Sequence, residues 1–133
     1  LKAKLDAAEH LWSSVASRDH SYRLAKGGIP FGSATTYRVT VREGDCSAKE
    51  KKSRPRSNWE RVDCEGISIA DVFADLRRAI AACPTAKVQV QFHERFGYIE
   101  ELSFDASTAE TDDWWDLRIS QFRARREPRT GAE

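Results

Sequence analysis

Asp105, Glu110, Asp112, Asp113 and Asp116 form the densest group of side chains in this chain that could do chemistry. Hard divalent cations take several oxygen ligands, so a calcium loop is the first candidate. The spacing matches no EF-hand, and no glycine stands at the pivotal position. An acidic connector is the expectation, its carboxylates capping turns or pairing with Arg118 and Arg123. The three histidines, His10, His20 and His93, fall in a helix, at its exit and at a strand end, with no metal-ligand spacing among them. Lys26-Gly27-Gly28-Ile29-Pro30-Phe31-Gly32-Ser33 is glycine-rich like a phosphate cradle. It lacks the G-K-[ST] ending and the strand-loop-helix setting, and a strand follows it. No G-x-S-x-G elbow and no Cys-His signature occurs, and nothing singles out two carboxylates for glycoside chemistry. No nucleophile, base and orienting group can be lined up. The reading is therefore of a chain without catalytic, cofactor or metal residues.

Groups suited to contact are easier to find. Lys49, Lys51, Lys52, Arg54 and Arg56 form a basic run around Pro55, with Glu50 inside it. Such a run suits phosphates or an acidic partner. A nucleic-acid binder is expected to be basic over the whole domain, and the net charge here is only +1, so no nucleic acid is expected. The run reads as a solvated loop or, because Trp59 lies just beyond it, as a docking loop. Trp114-Trp115 is a second candidate. On a strand the two rings face opposite sides, so one enters the core and the other is a potential interface anchor. Phe31 in the Gly27–Gly32 loop and Arg125 in the tail complete the candidate interface of Phe31, Arg54, Arg56, Trp59, Trp114, Trp115 and Arg125.

The cysteines are Cys46, Cys64 and Cys83. Cys83 lies on an apolar helix face and reads as a buried thiol. Cys46 and Cys64 flank a polar excursion. They are either two thiols or a bridge closing a loop of about 18 residues, which would stabilise by roughly 3 kcal/mol in the chain-entropy model. An odd count leaves one cysteine unpaired and does not by itself fix the compartment.

The elements that must position these residues follow from periodicity. Leu1, Leu5, Ala8, Trp12 and Val15 repeat at helical spacing, and the helix should end near Ser17. Tyr22 and Leu24 mark a short strand, Gly27–Gly32 a loop, and Thr36–Arg42 a half-buried strand with Tyr37, Val39 and Val41 on one face. Gly44-Asp45 is a turn. Ser47–Asn58 reads as an exposed excursion and Trp59–Val62 as a candidate strand. Ser68-Ile69-Ala70-Asp71 is a capping box. Ile69, Val72, Phe73, Leu76, Ile80 and Cys83 then share one helix face, and Pro84 ends the helix. Val88–Phe92 and Tyr98–Phe104 alternate as strands around the Phe96-Gly97-Tyr98 turn, and Leu117 and Ile119 mark a last strand.

A chain of 133 residues, 40% hydrophobic and 32% charged, is one domain with a sizeable core. No apolar run reaches the length of a membrane span. The expected fold is α+β, an antiparallel sheet of about five to six short strands with two helices packed on one face. The expected layout is an amphipathic helix at 1–17, the sheet domain at 18–122 in the same compact unit, and a charged tail at 123–133. The absence of any methionine reads as a processed or truncated product, with a targeting segment or a larger region upstream.

Several segments in order resemble a known family. They are Leu11-Trp12, Ser21-Tyr22-Arg23, Tyr37 to Gly44, Ile67 to Phe73, Phe96-Gly97-Tyr98-Ile99, Leu102 to Asp105 and Asp112-Asp113. Together they resemble the "domain of unknown function 6174" family of bacterial secreted proteins and lipoproteins, over about residues 8–122. Cysteines common in that family after the Tyr22-type strand are replaced here by Gly27-Gly28. The resemblance implies a fold and no activity. The expected function is a non-catalytic interaction or structural domain with protein partners. A concrete version is a small accessory subunit of an organellar or envelope membrane complex, respiratory or photosynthetic. The alternatives are a free secreted or lipoprotein-type binding module and an uncharacterised enzyme.

Overall fold

The computed structural model describes residues 1–15, 19–28, 34–53, 56–106 and 114–124. Two helices, α1 (Lys2–Val15) and α2 (Ile69–Ala82), accompany seven strands. These are β1 (His20–Gly28), β2 (Thr35–Arg42), β3 (Asp45–Lys52), β4 (Glu60–Val62), β5 (Lys87–Phe92), β6 (Ile99–Asp105) and β7 (Trp114–Ala124). The strands form one sheet in the order β4-β3-β2-β1-β7-β6-β5, every pairing antiparallel. No helix among the described residues is long and apolar enough to cross a membrane.

Strand alternation decides where the core sits. Tyr22 and Leu24 of β1, Val39 of β2, Ala48 of β3, Leu102 and Phe104 of β6, and Leu117 and Ile119 of β7 are buried and share one face of the sheet. Leu5, Ala8 and Trp12 of α1 and Ile69, Val72, Phe73 and Leu76 of α2 join the same core, so both helices cover that face. At the centre, Leu24 is 0% exposed between Tyr37 and Ile119 on its neighbouring strands.

Local chemistry fixes the helix ends. The Ser68 hydroxyl accepts the Asp71 N–H at 3.0 Å, and the Asp71 carboxylate accepts the N–H groups of Ser68 and Gly66 at 3.2 and 3.0 Å. The buried Tyr22 hydroxyl donates to the Ile67 carbonyl at 2.7 Å, which ties the entry of α2 to the central strand. Burial pushes the Tyr22 hydroxyl well above its usual pKa, with Asp71 adding to the rise. Arg77 of α2 pairs with Asp6 and Glu9 of α1 at 2.7 and 2.6 Å, joining the helices at the surface.

Gly97 is a close-approach site. Its φ is +83°, and a Cβ there would lie 2.4 Å from the Ala8 carbonyl oxygen of α1. Next to it Trp12 packs edge-on against Tyr98 and Phe122. Tyr98 stacks on Phe122 and on His93, and its hydroxyl is pushed up to about 12, chiefly by burial.

Two expectations need correction. The sheet has seven strands, where five to six were expected, because β3 forms inside the stretch read as an exposed excursion. It pairs with β2 over eight residues, yet only Ala48 of β3 is buried, so its charged sequence hides the strand period. Gly27 and Gly28, read as loop, belong to β1 and pair with Asp116 and Trp115. A Cβ on Gly28 would lie 2.5 Å from the Trp115 Cα, so glycine here serves strand proximity.

Leu76, 0% exposed, tests this packing. Leu76→Ala should destabilise by about 2–5 kcal/mol, read from the denaturant midpoint. An unchanged midpoint would rule out the α2-on-sheet core.

Candidate functional site

The sheet face opposite the helices carries no element of the described structure. Alternation sends to it Ser21, Arg23, Ala25 and Gly27 of β1, and Thr36, Arg38, Thr40 and Arg42 of β2. Ser47, Lys49 and Lys51 of β3 and Arg61 of β4 continue it in one direction. In the other direction lie Asp116 and Arg118 of β7, Glu101 and Ser103 of β6, and Gln89 and Gln91 of β5.

The register places four of these cations in one row. Arg23 is directly opposite Arg38, Arg38 opposite Lys49, and Lys49 opposite Arg61. With strands about 4.8 Å apart, the row runs about 14 Å across the sheet. Arg38, Lys49 and Arg61 are exposed and Arg23 is half-exposed. The ion pairs among the described residues involve Lys52, Arg77, Arg78 and Arg118 and none of these four. Like charges directly opposite on neighbouring strands repel, so the row is unfavourable to folding. On one side the row is flanked by Ala25, Thr36 and Lys51, on the other by Ser21, Thr40 and Ser47. Trp59 covers the row at one point, with the Arg38 guanidinium 4.3 Å and the Lys51 amine 5.9 Å from its ring centre.

Beyond β1 the same face sinks into a groove of about 650 Å³, lined among others by Ala25, Gly27, Gln89, Ser103 and Asp116. Gly27 gives the groove its depth, since a Cβ there would lie 2.9 Å from Asp116 Oδ1. Arg118 pairs across strands with Glu101 at 2.5 Å, whereas sequence reasoning paired it with the 105–116 carboxylates. Trp114, 41% exposed, follows the alternation of Asp116 and stands on this open face opposite Asp105. Trp115 points the other way, half-buried and stacked on Phe104 at 5.3 Å.

The remaining candidates divide. Arg56 is exposed in the turn before β4. Phe31, Arg54 and Arg125 lie outside the described residues, as do Glu110, Asp112 and Asp113. The basic run is no single loop: Lys49 and Lys51 face outward from β3, while Lys52 points to the other side and pairs with Glu50 at 3.8 Å. His93 accepts the backbone N–H groups of Arg95 and Phe96 through Nδ1, and His20 stacks between Tyr22 and Phe122. Among the described residues no group of three or more His, Cys, Asp and Glu could hold a metal ion.

Sequence reasoning missed Arg23, Arg38, Arg42 and Arg61 as members of one surface. They come from three strands, and only the register joins them. It also missed Lys26, which points to the helix side beside a cavity of about 220 Å³ lined with Val72, Asp75, Trp115 and Leu117. Its amine donates to the Gly66 carbonyl at 3.3 Å, and burial lowers its pKa. A lysine at an inward position of the β1 alternation was the available signal.

Cys46 of β3 and Cys64 after β4 are joined as a disulfide, with Cα atoms 6.3 Å apart. It staples the cationic half of the sheet at its edge, where β4 is only three residues long. Cys83 is half-buried, against the buried thiol expected, because it caps α2 beyond the last packed turn. Native alkylation without reductant should label Cys83 alone. Replacing Cys46 and Cys64 by Ser should lower stability by about 3 kcal/mol. Rapid labelling of three thiols would refute the bridge.

No curated protein and no solved structure matches the chain. The sequence profile of a family described as "Family of unknown function (DUF6174)" matches residues 4–124, from the first turn of α1 to the end of β7, and the chain belongs to that family.

Proposed function

We propose that this domain acts by contact and performs no chemistry: the helices brace the sheet from behind, and the open face meets a partner. The observation that carries this reading is the Arg23–Arg38–Lys49–Arg61 row. A fold under selection for stability alone would break such a row with an acid, since cross-strand opposite charges stabilise and like charges do not. The groove beside the row and the two tryptophans on the same face add area suited to an interface.

Two settings suit a contact module: an accessory subunit docked on a larger membrane complex, and a binding module outside the cytoplasm. The Cys46–Cys64 disulfide favours the second, because such bridges persist in oxidising compartments.

Hydroxyl-radical footprinting of the protein in its native host envelope, compared with the purified domain, tests the contact surface. Trp59 and Trp114 should be protected in the native setting, while the outer surfaces of α1 and α2 keep their reactivity. Protection confined to the helices would overturn the assignment of the open face.

A further inference from the structure

We infer that the open face binds an extended anionic polysaccharide, a chain bearing carboxylate or sulfate groups, laid along the Arg23–Arg38–Lys49–Arg61 row. The inference rests on the contact reading above and gives the partner its chemistry.

The row is about 14 Å long and narrow, widened at Lys49 by its neighbour Lys51. That shape matches a single chain with regularly spaced negative groups. It matches a planar array of lipid headgroups less well, since an anionic surface lying flat on the face would also meet Glu101, Asp105 and Asp116 beyond β1. The flanking positions carry hydroxyls at Ser21, Thr36, Thr40 and Ser47, which can donate to and accept from the hydroxyls of a sugar chain. Trp59 stands beside the row, and an aromatic face packs against the apolar side of a sugar ring. A single-stranded nucleic acid shares the charge spacing and the stacking. The disulfide separates the two, because it fits a compartment outside the cytoplasm.

The charge on this half of the face is concentrated, although the chain as a whole is nearly neutral. Arg42 and Lys51 stand beside the row on β2 and β3, and on the same strands only Asp45 among the open-face positions is acidic. Acids on this face lie beyond β1, at Glu101 and Asp105 of β6 and Asp116 of β7. This segregation produces a field that a net charge of +1 conceals.

Binding of the whole chain to a sulfated octasaccharide, a uronate octasaccharide, an oligothymidylate of matched charge and phosphatidylglycerol vesicles tests this. A glycan should bind most tightly, with affinity falling as salt rises. Arg38→Gln with Lys49→Gln should weaken glycan binding about twenty-five-fold, at about fivefold per cation. Lys2→Gln with Lys4→Gln on the exposed side of α1 should leave it unchanged. Circular dichroism confirms that both variants are folded, and Arg61→Gln gives a second reading if the first pair is not. Equal losses for the two pairs, no glycan binding, or a preference for oligothymidylate or vesicles would each overturn the inference. Native footprints on Trp59 and Trp114 that persist without glycan binding would leave the contact reading standing and remove only the glycan.

Discussion

One-sided burial is the constraint on which the rest of this structure depends. An antiparallel strand sends alternate side chains to opposite faces, and the two helices supply apolar surface for only one of them. Tyr22 and Leu24 on the central strand, with Leu117 and Ile119 beside them, commit that face to the core. The opposite set on the same strands is then bound to solvent or to a partner. The cationic row follows from this register: a shift of one residue in β2 against β1 or β3 would separate Arg38 from Arg23 or Lys49 and expose Val39.

The constraint is reinforced where the helices meet the sheet. The Tyr22 hydroxyl on the Ile67 carbonyl sets the start of α2 over β1, and Gly97 allows the α1 backbone to approach the β5–β6 turn. A side chain at Gly97 would push α1 away and uncover Trp12, Tyr98 and Phe122, which close one end of the core. At the other end the disulfide holds the short β4 strand against β3, so Arg61 stays in line with Lys49. Scaffold and surface are thus linked: the features that stabilise the fold also place the charges.

Much of the scaffold was legible in the sequence because it obeys strong periods. The Ser68 cap, the apolar face of α2, and the alternation of β2, β5 and β6 each depend on residues close along the chain. β3 was hidden because its inward residues include Glu50 and Lys52 as well as Ala48, so polar side chains stand on both faces. The extension of β1 through Gly27 and Gly28 was hidden because glycine usually marks a loop, whereas here it permits close approach to β7. The candidate surface was illegible for a different reason. Lys49 and Trp59 stood out, but Arg23, Arg38 and Arg61 are ordinary outward residues until pairing aligns them. Net charge argued against a nucleic-acid partner because it averages over both faces.

The central claim is that the row is an uncompensated line of like charge, retained against the stability of the domain. Lys49 is the place to test it, exposed and directly opposite both Arg38 and Arg61. The measurement is the melting temperature of Lys49→Glu against the parent, at low salt and again in concentrated salt, with no ligand added. The account predicts a higher melting temperature for Lys49→Glu at low salt, by up to a few degrees, with the gain shrinking as salt screens the row. A lower melting temperature at low salt, or a gain that persists unchanged in concentrated salt, would contradict it.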